Sequence, residues 1–195
     1  MNEQWSLDRF AKTPLSLPIV LLLAGCGGGQ RDLMPLQVGK SWTYRVVSGL
    51  DSRVESVKVV RPVAVDGVEG VEINGPLGIS RLAWKSNSLV TESTGSLRFR
   101  PALPLLARNQ SSQNWTGWVT WLGREIPATA QTTQKSKSLT LNSRSIESTE
   151  SDVVLQLPSR AIHLTTWFES GVGIVRQEQH TGYTLDIGLE LIEGP

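Results

Sequence analysis

The sequence predicts an all-β fold, an antiparallel sheet closed or half-closed into a barrel-like or sandwich domain of about ten to twelve strands. Three observations lead there. Apolar residues recur with period two rather than 3.6, tight-turn dipeptides punctuate the runs, and sustained helical periodicity is missing beyond the N-terminus.

Taken in order, Trp42, Tyr44 and Val46 alternate with Thr43, Arg45 and Val47, the pattern of a strand with one wet face. Leu97 and Phe99 alternate with Arg98 and Arg100; Val153, Leu155 and Leu157 share a face, as do Ala161, His163, Thr165 and Trp167. The clearest run places Tyr183, Leu185, Ile187, Leu189 and Leu191 on one side. Turn signals fall between these runs at Asp66–Gly67, Asn74–Gly75, Thr94–Gly95 and Gly171–Val172–Gly173. Pro101 and Pro104 argue against a central strand, so residues 101–114 read as an irregular link between two sheet halves. Residues 131–152 are rich in Ser and Thr and read as solvated strands or a long exposed hairpin, with Leu139, Leu141 and Ile146 partly buried.

The stretch NWTGWVTWLGRE holds Trp115, Trp118 and Trp121 of a chain with seven tryptophans. Their spacing also suits one face of a helix, but Gly117 and the β-branched Thr116, Val119 and Thr120 favour a strand. On a strand, Trp115 and Trp121 share a face and Trp118 takes the other, so the three rings cannot converge on one small ligand. At least two of them are expected in the core, and aromatics on both faces imply a strand covered on both sides. A ligand groove faced by one or more of them is the competing expectation.

Residues 1–25 read as an export signal: Arg9 and Lys12 precede an apolar run from Leu15 to Ala24, too short for the ~20 residues of a spanning helix. Leu23, Ala24 and Gly25 before Cys26 resemble the lipobox of bacterial lipoproteins, in which the cysteine receives lipid and becomes the N-terminus. Cys26 is the only cysteine, so no intrachain disulfide is available. Residues 26–34 then form the lipidated cysteine and a flexible tether, and 35–195 one domain. Cleavage before Cys26 would leave 170 of the 195 residues; Arg9 and Lys12 leave with Glu3 and Asp8, so the net charge stays +1. Such a balance offers nothing to nucleic acid.

Two stretches carry a resemblance. LMPLQVGKSWTYRV (Leu33 to Val46) and TTWFESGVGIVRQE (Thr165 to Glu178) are similar to the opening and closing signatures of a poorly characterised group of bacterial secreted proteins and lipoproteins. That likeness implies an envelope protein rich in antiparallel sheet and carries no catalytic residues. The architecture also resembles, remotely, lipoprotein carriers built on a half-barrel sheet.

Enzyme signals are absent: no nucleophile elbow, Ser-x-x-Lys pair, phosphate loop or His-Glu-x-x-His motif occurs, and His163 and His180 lack partners at metal spacing. No enzyme, cofactor or metal is expected. Lys135 and Lys137, near Arg144, read as a charged edge that blunts aggregation.

The expectation is a lipid-anchored protein of the cell envelope, facing the periplasm or exterior and on the outer membrane if the host has one. Its partners are the membrane through the anchor and a lipid or envelope protein segment. Either it binds an apolar ligand or such a segment, with Trp42, Trp115, Trp118, Trp121 and Trp167 as ligand or core aromatics, or it is an assembly scaffold. Binding calls for a connected apolar cavity of roughly several hundred Å³ lined by Trp, Leu and Val; a scaffold calls for a filled interior.

Overall fold

The computed structural model describes residues 30–86, 88–107 and 111–195. A short 3-10 turn, Gln30–Leu33, leads into twelve strands: β1 (Ser41–Ser48), β2 (Asp51–Val65), β3 (Val68–Gly75), β4 (Gly78–Lys85), β5 (Ser88–Thr94), β6 (Leu97–Ala107), β7 (Ser112–Trp121), β8 (Arg124–Leu141), β9 (Arg144–Leu157), β10 (Arg160–Glu169), β11 (Gly173–Thr181) and β12 (Thr184–Glu193). Each strand pairs with its sequence neighbours, and β12 returns to β1, closing an antiparallel barrel. Closure pairs the first and last strands, the general way a sheet loses its exposed edges.

Tight turns make the meander possible. Asp66–Gly67 and Asn142–Ser143 have positive φ at both residues (46° and 80°; 48° and 65°), the twist that two-residue hairpins need. Asp66–Gly67 and Gly95 turn where the sequence places them, whereas Asn74–Gly75 ends β3 and the turn falls at Pro76–Leu77.

Residues 101–107, expected to be irregular, belong to β6. This strand pairs with β7 only through Arg98↔Thr120, Phe99↔Val119 and Arg100↔Trp118. Pro101 and Pro104 have no N–H to donate, so the strand keeps its β5 ladder and leaves β7. Carbonyls so freed are met by side chains: Trp115 Nε1 donates to Pro101 O (3.2 Å), Thr132 Oγ1 to Pro104 O (2.7 Å) and Ser151 Oγ to Leu105 O. Proline argued correctly against pairing on one edge and said nothing about the other.

The Ser/Thr-rich stretch is the β8–β9 hairpin. Past the last β9–β10 pair, Phe168↔Thr149, its tip continues, and Leu139, Leu141 and Ile146 pack against a core cluster that includes Trp167 and Phe168. Asn142 Nδ2 donates to Leu191 O (3.4 Å) and Arg144 pairs with Glu169 (2.9 Å). Lys135 and Lys137 lie past the last β7–β8 pair, Ser112↔Thr133, where β8 pairs with β9 alone, and both reach Glu150 at 3.0 and 2.7 Å.

Inside the barrel lie two clusters, one around Trp42, Tyr44, Leu106 and Phe168 and another around Phe99, Trp115, Val119 and Leu155. A third, small one joins Val65, Ala83, Val90 and Ala102 on the other face of β4.

Candidate functional site

The two signature stretches, far apart in sequence, meet at one end of the barrel. Trp42 Nε1 donates to Val172 O (2.6 Å), and Tyr44 OH to Ile174 O (2.7 Å). Both rings are buried, and burial pushes the Tyr44 phenol far above its usual pKa, so it remains a proton donor. Gly173 sits tightly against this floor at φ 107°, a backbone conformation that favours glycine; a Cβ would stand 3.3 Å from the Trp42 indole nitrogen and 3.4 Å from Met34 Sδ. The N-terminal segment completes this floor. Gly171 N donates to Asp32 O (2.8 Å), Trp84 Nε1 to Met34 O (3.2 Å), and Met34 is 2% exposed. Packing therefore begins before Pro35, and residues 32–34 are wall rather than tether.

Above the floor is an apolar cavity of about 130 Å³. Its walls come from most of the barrel: Leu82, Leu89, Leu103, Leu155, Ile162 and Leu189 stand for the rest. Polar lining is confined to uncharged groups, among them Thr91, Gln177 and Gln179. Thr91 Oγ1 is engaged by the Ser93 and Arg81 carbonyls at 2.8 and 3.2 Å, and Gln177 Nε2 donates to Thr166 (3.0 Å). At the opposite end the cavity reaches the surface beside Pro76, Leu77 and Gly78 of the β3–β4 turn and Thr94 and Leu97 beside the β5–β6 turn. There the wall is incomplete, because the β2–β3 ladder begins at Lys58↔Asn74 while β2 itself begins at Asp51.

None of the expected aromatics lines this cavity. Trp42, Trp115 and Trp167 are buried in the core, with Phe99 edge-on to Trp115 at 6.3 Å. Trp118 is 45% exposed beside Pro127 on the outside, and Trp121 is half-buried under the Arg160 guanidinium at 4.4 Å. Strand geometry separates the three as expected, but one, not two, is core, and the outer face of β7 is uncovered. Leu23, Ala24, Gly25 and Cys26 lie outside the described residues.

Sequence reasoning put Ala161, His163, Thr165 and Trp167 on one face of β10, as they are, but did not single out the opposite set, Ile162 and Leu164, which lines the cavity. Leu164 pairs with Val153 and Ile162 with Leu155, both lumenal, so His163 and Thr165 face outward. Trp167 shares their parity yet is buried, because Glu150 accepts its Nε1 proton at 2.8 Å and Arg176 covers its ring at 5.3 Å. β12 also departs from its pattern: Tyr183 lies in the turn and is fully exposed, and a register shift leaves Asp186 between Leu185 and Ile187. Asp186 accepts from Thr181 (2.7 Å) and Gln179 (3.3 Å).

Two buried carboxylates lie off the cavity. Burial alone raises the Glu150 pKa, but hydrogen bonds from Lys137, Lys135 and Trp167 outweigh it and hold the group below the usual carboxylate range. Hydrogen bonding from Arg61 does the same for Glu72, which burial opposes and Arg81 reinforces. Such networks are structural ion pairs. Among the described residues no cluster of His, Cys, Asp and Glu could hold a metal ion. An external groove of about 530 Å³ beside Trp118, Pro127 and Pro158 is broader than the cavity but lies open to water.

Together these features define a closed antiparallel β-barrel with an apolar lumen, sealed at one end. No family model matches the chain, and no curated protein does. Among solved structures it is similar to a candidate lipoprotein from Parabacteroides distasonis, at 12% identity over 84% of this chain and 98% of that one, with a TM-score of 0.51. A candidate exported protein with a YmcC-like fold from Bacteroides fragilis matches at 11% identity over 82% of this chain and 96% of that one (TM-score 0.46). The hypothetical lipoprotein YmcC from Escherichia coli matches at 12% over 85% and 95% (TM-score 0.42). The first of these likenesses is one of fold.

Proposed function

We propose that this chain is a membrane-anchored lipoprotein of the cell envelope whose barrel binds an apolar ligand in its lumen. The cavity carries the reading: it is continuous, lined by Leu, Ile, Val and Phe, closed by Tyr44 and Met34, and reachable from outside at the β3–β4 turn. A cavity of 130 Å³ compares with the ~150 Å³ apolar cavity that stays dry and admits benzene. It therefore takes a short alkyl stretch or one ring, less than the volume expected from sequence. Envelope location and anchorage rest on the lipobox-like Leu23–Cys26 and on a fold shared with a candidate lipoprotein. The scaffold reading keeps one observation in its favour, since the two lumenal clusters fill most of the interior.

Benzene, a single apolar ring that matches this volume, tests the choice. Its binding, read by ligand-observed NMR, should saturate with the full chain, and Leu155→Trp, which fills the cavity, should weaken it about tenfold or more. Equal binding by both proteins, or none by either, would favour the scaffold.

A further inference from the structure

Hairpin turns alternate between the two ends of an up-and-down barrel, and the six at the cavity mouth have an unusual composition: Gly49–Leu50, Pro76–Leu77, Gly95–Ser96, Leu122–Gly123, Pro158–Ser159 and Gly182–Tyr183. Leu50 and Tyr183 are 106% exposed and Leu122 77%. Ile79 and Val54, beside two of these turns, are exposed as well. The tip of Leu122 is also conformationally costly. Its φ of 49° lies in the left-handed region, where Asn or Gly is at ease and a branched apolar residue is not. Neither packing nor backbone preference accounts for a leucine there.

Charge completes the pattern. On the β6–β10 side of the rim, Arg98, Arg100, Arg124 and Arg160 stand behind the tips against Glu125 alone, which is already paired with Arg100 at 3.1 Å; around the rest of the rim Arg53 is set against Asp51, Glu92 and Asp186. Apolar tips ahead of a basic arc, with Trp121 beneath Arg160, match the layered chemistry of a lipid interface: tails first, aromatic and cationic groups at the level of anionic headgroups. Two of the six, at Pro76–Leu77 and beside Thr94 and Leu97, border the opening of the lumen, and the other four lie at the same end of the barrel.

We infer that the six-turn rim at the barrel's open end docks onto an anionic lipid surface with the cavity mouth facing it. This rests on the cavity reading for its purpose, which is direct passage of an alkyl chain between lipid and lumen. The N-terminal segment packs at the sealed end from Asp32 onward, and the residues between it and Cys26 span at most ~18 Å. An anchor there turns the rim away from its own leaflet, so the surface contacted is a second lipid layer.

An environment-sensitive NBD fluorophore on the full chain tests the rim, attached at Tyr183→Cys in a Cys26→Ser background. Vesicles of phosphatidylethanolamine and phosphatidylglycerol should brighten and blue-shift the dye, and adding Leu50→Ser with Leu122→Ser should weaken that response about tenfold or more. Leu155→Trp should leave it unchanged. No response at position 183, or one that the two serines do not weaken, overturns the inference. Continued benzene binding by that same chain would then show that the rim has failed and the cavity has not.

Discussion

The two ends of the barrel are built from the same hairpins and obey opposite rules. At the sealed end the turns are polar, Asp66–Gly67, Asn142–Ser143 and Ser170–Gly171, while the apolar groups nearby are buried and every indole has a partner: Trp42 on Val172 O, Trp84 on Met34 O, Trp167 on Glu150. At the mouth the tips are Leu50, Leu122 and Tyr183, held out to solvent, and the wall between β2 and β3 is left unfinished. One end is organised to be stable, the other to be accessible. Met34, Trp42, Tyr44 and Phe168 are buried where the N-terminal segment and the two signature stretches meet, whereas the turn tips at the mouth carry residues that stability does not ask for.

The contrast predicts unequal responses to substitution. Trp42→Ala should cost about 3–5 kcal/mol in urea unfolding, since it removes a fully buried ring and the hydrogen bond that holds Val172. A cost below ~1 kcal/mol would mean that the floor does not hold the barrel shut. Glu150→Gln should cost about 1.5–3 kcal/mol, because Lys135, Lys137 and the Trp167 indole lose their shared anion.

Acid should act on the same charges. Glu72 and Glu150 sit below their ordinary pKa in the folded chain, so the unfolded chain binds their protons more readily. The stability they contribute is complete above about pH 4.3 and is lost as pH falls through the folded values. Thermal midpoints should therefore fall on acidification below that point, and the Glu150→Gln protein should show a shallower fall than the parent.

The smallest effect carries the opposite sign. Leu122→Asn, at φ 49° and an exposed tip, should leave stability unchanged or raise it by up to about 1 kcal/mol while weakening vesicle binding. Destabilisation instead would place Leu122 in a folding role and remove the contrast between the ends.

Much of the fold was legible locally. Alternation placed Trp42, Tyr44 and Val46 on the lumenal face, and the closed count of twelve strands falls within the range expected from spacing. Faces were less secure where the period breaks. Opposite Trp167/Phe168 a register shift puts an extra residue, Val175, on β11, and the Leu185–Asp186–Ile187 bulge hides in a run that reads as regular; strict alternation expresses neither. β6 shows a deeper limit. Its prolines report a missing donor, but the partners of its carbonyls, Trp115, Thr132 and Ser151, lie on three other strands. The cavity was invisible for the same reason: its lining is distributed around the whole barrel, and the tryptophans that drew attention are the floor, the core and the outer wall.

Native mass spectrometry of the full chain purified from its host cells tests the central claim most directly. The account predicts one alkyl-bearing compound retained per chain and lost in Leu155→Trp. A parent protein that carries no such compound, or a Leu155→Trp protein that retains it, would contradict an open lumen as the working part of this molecule.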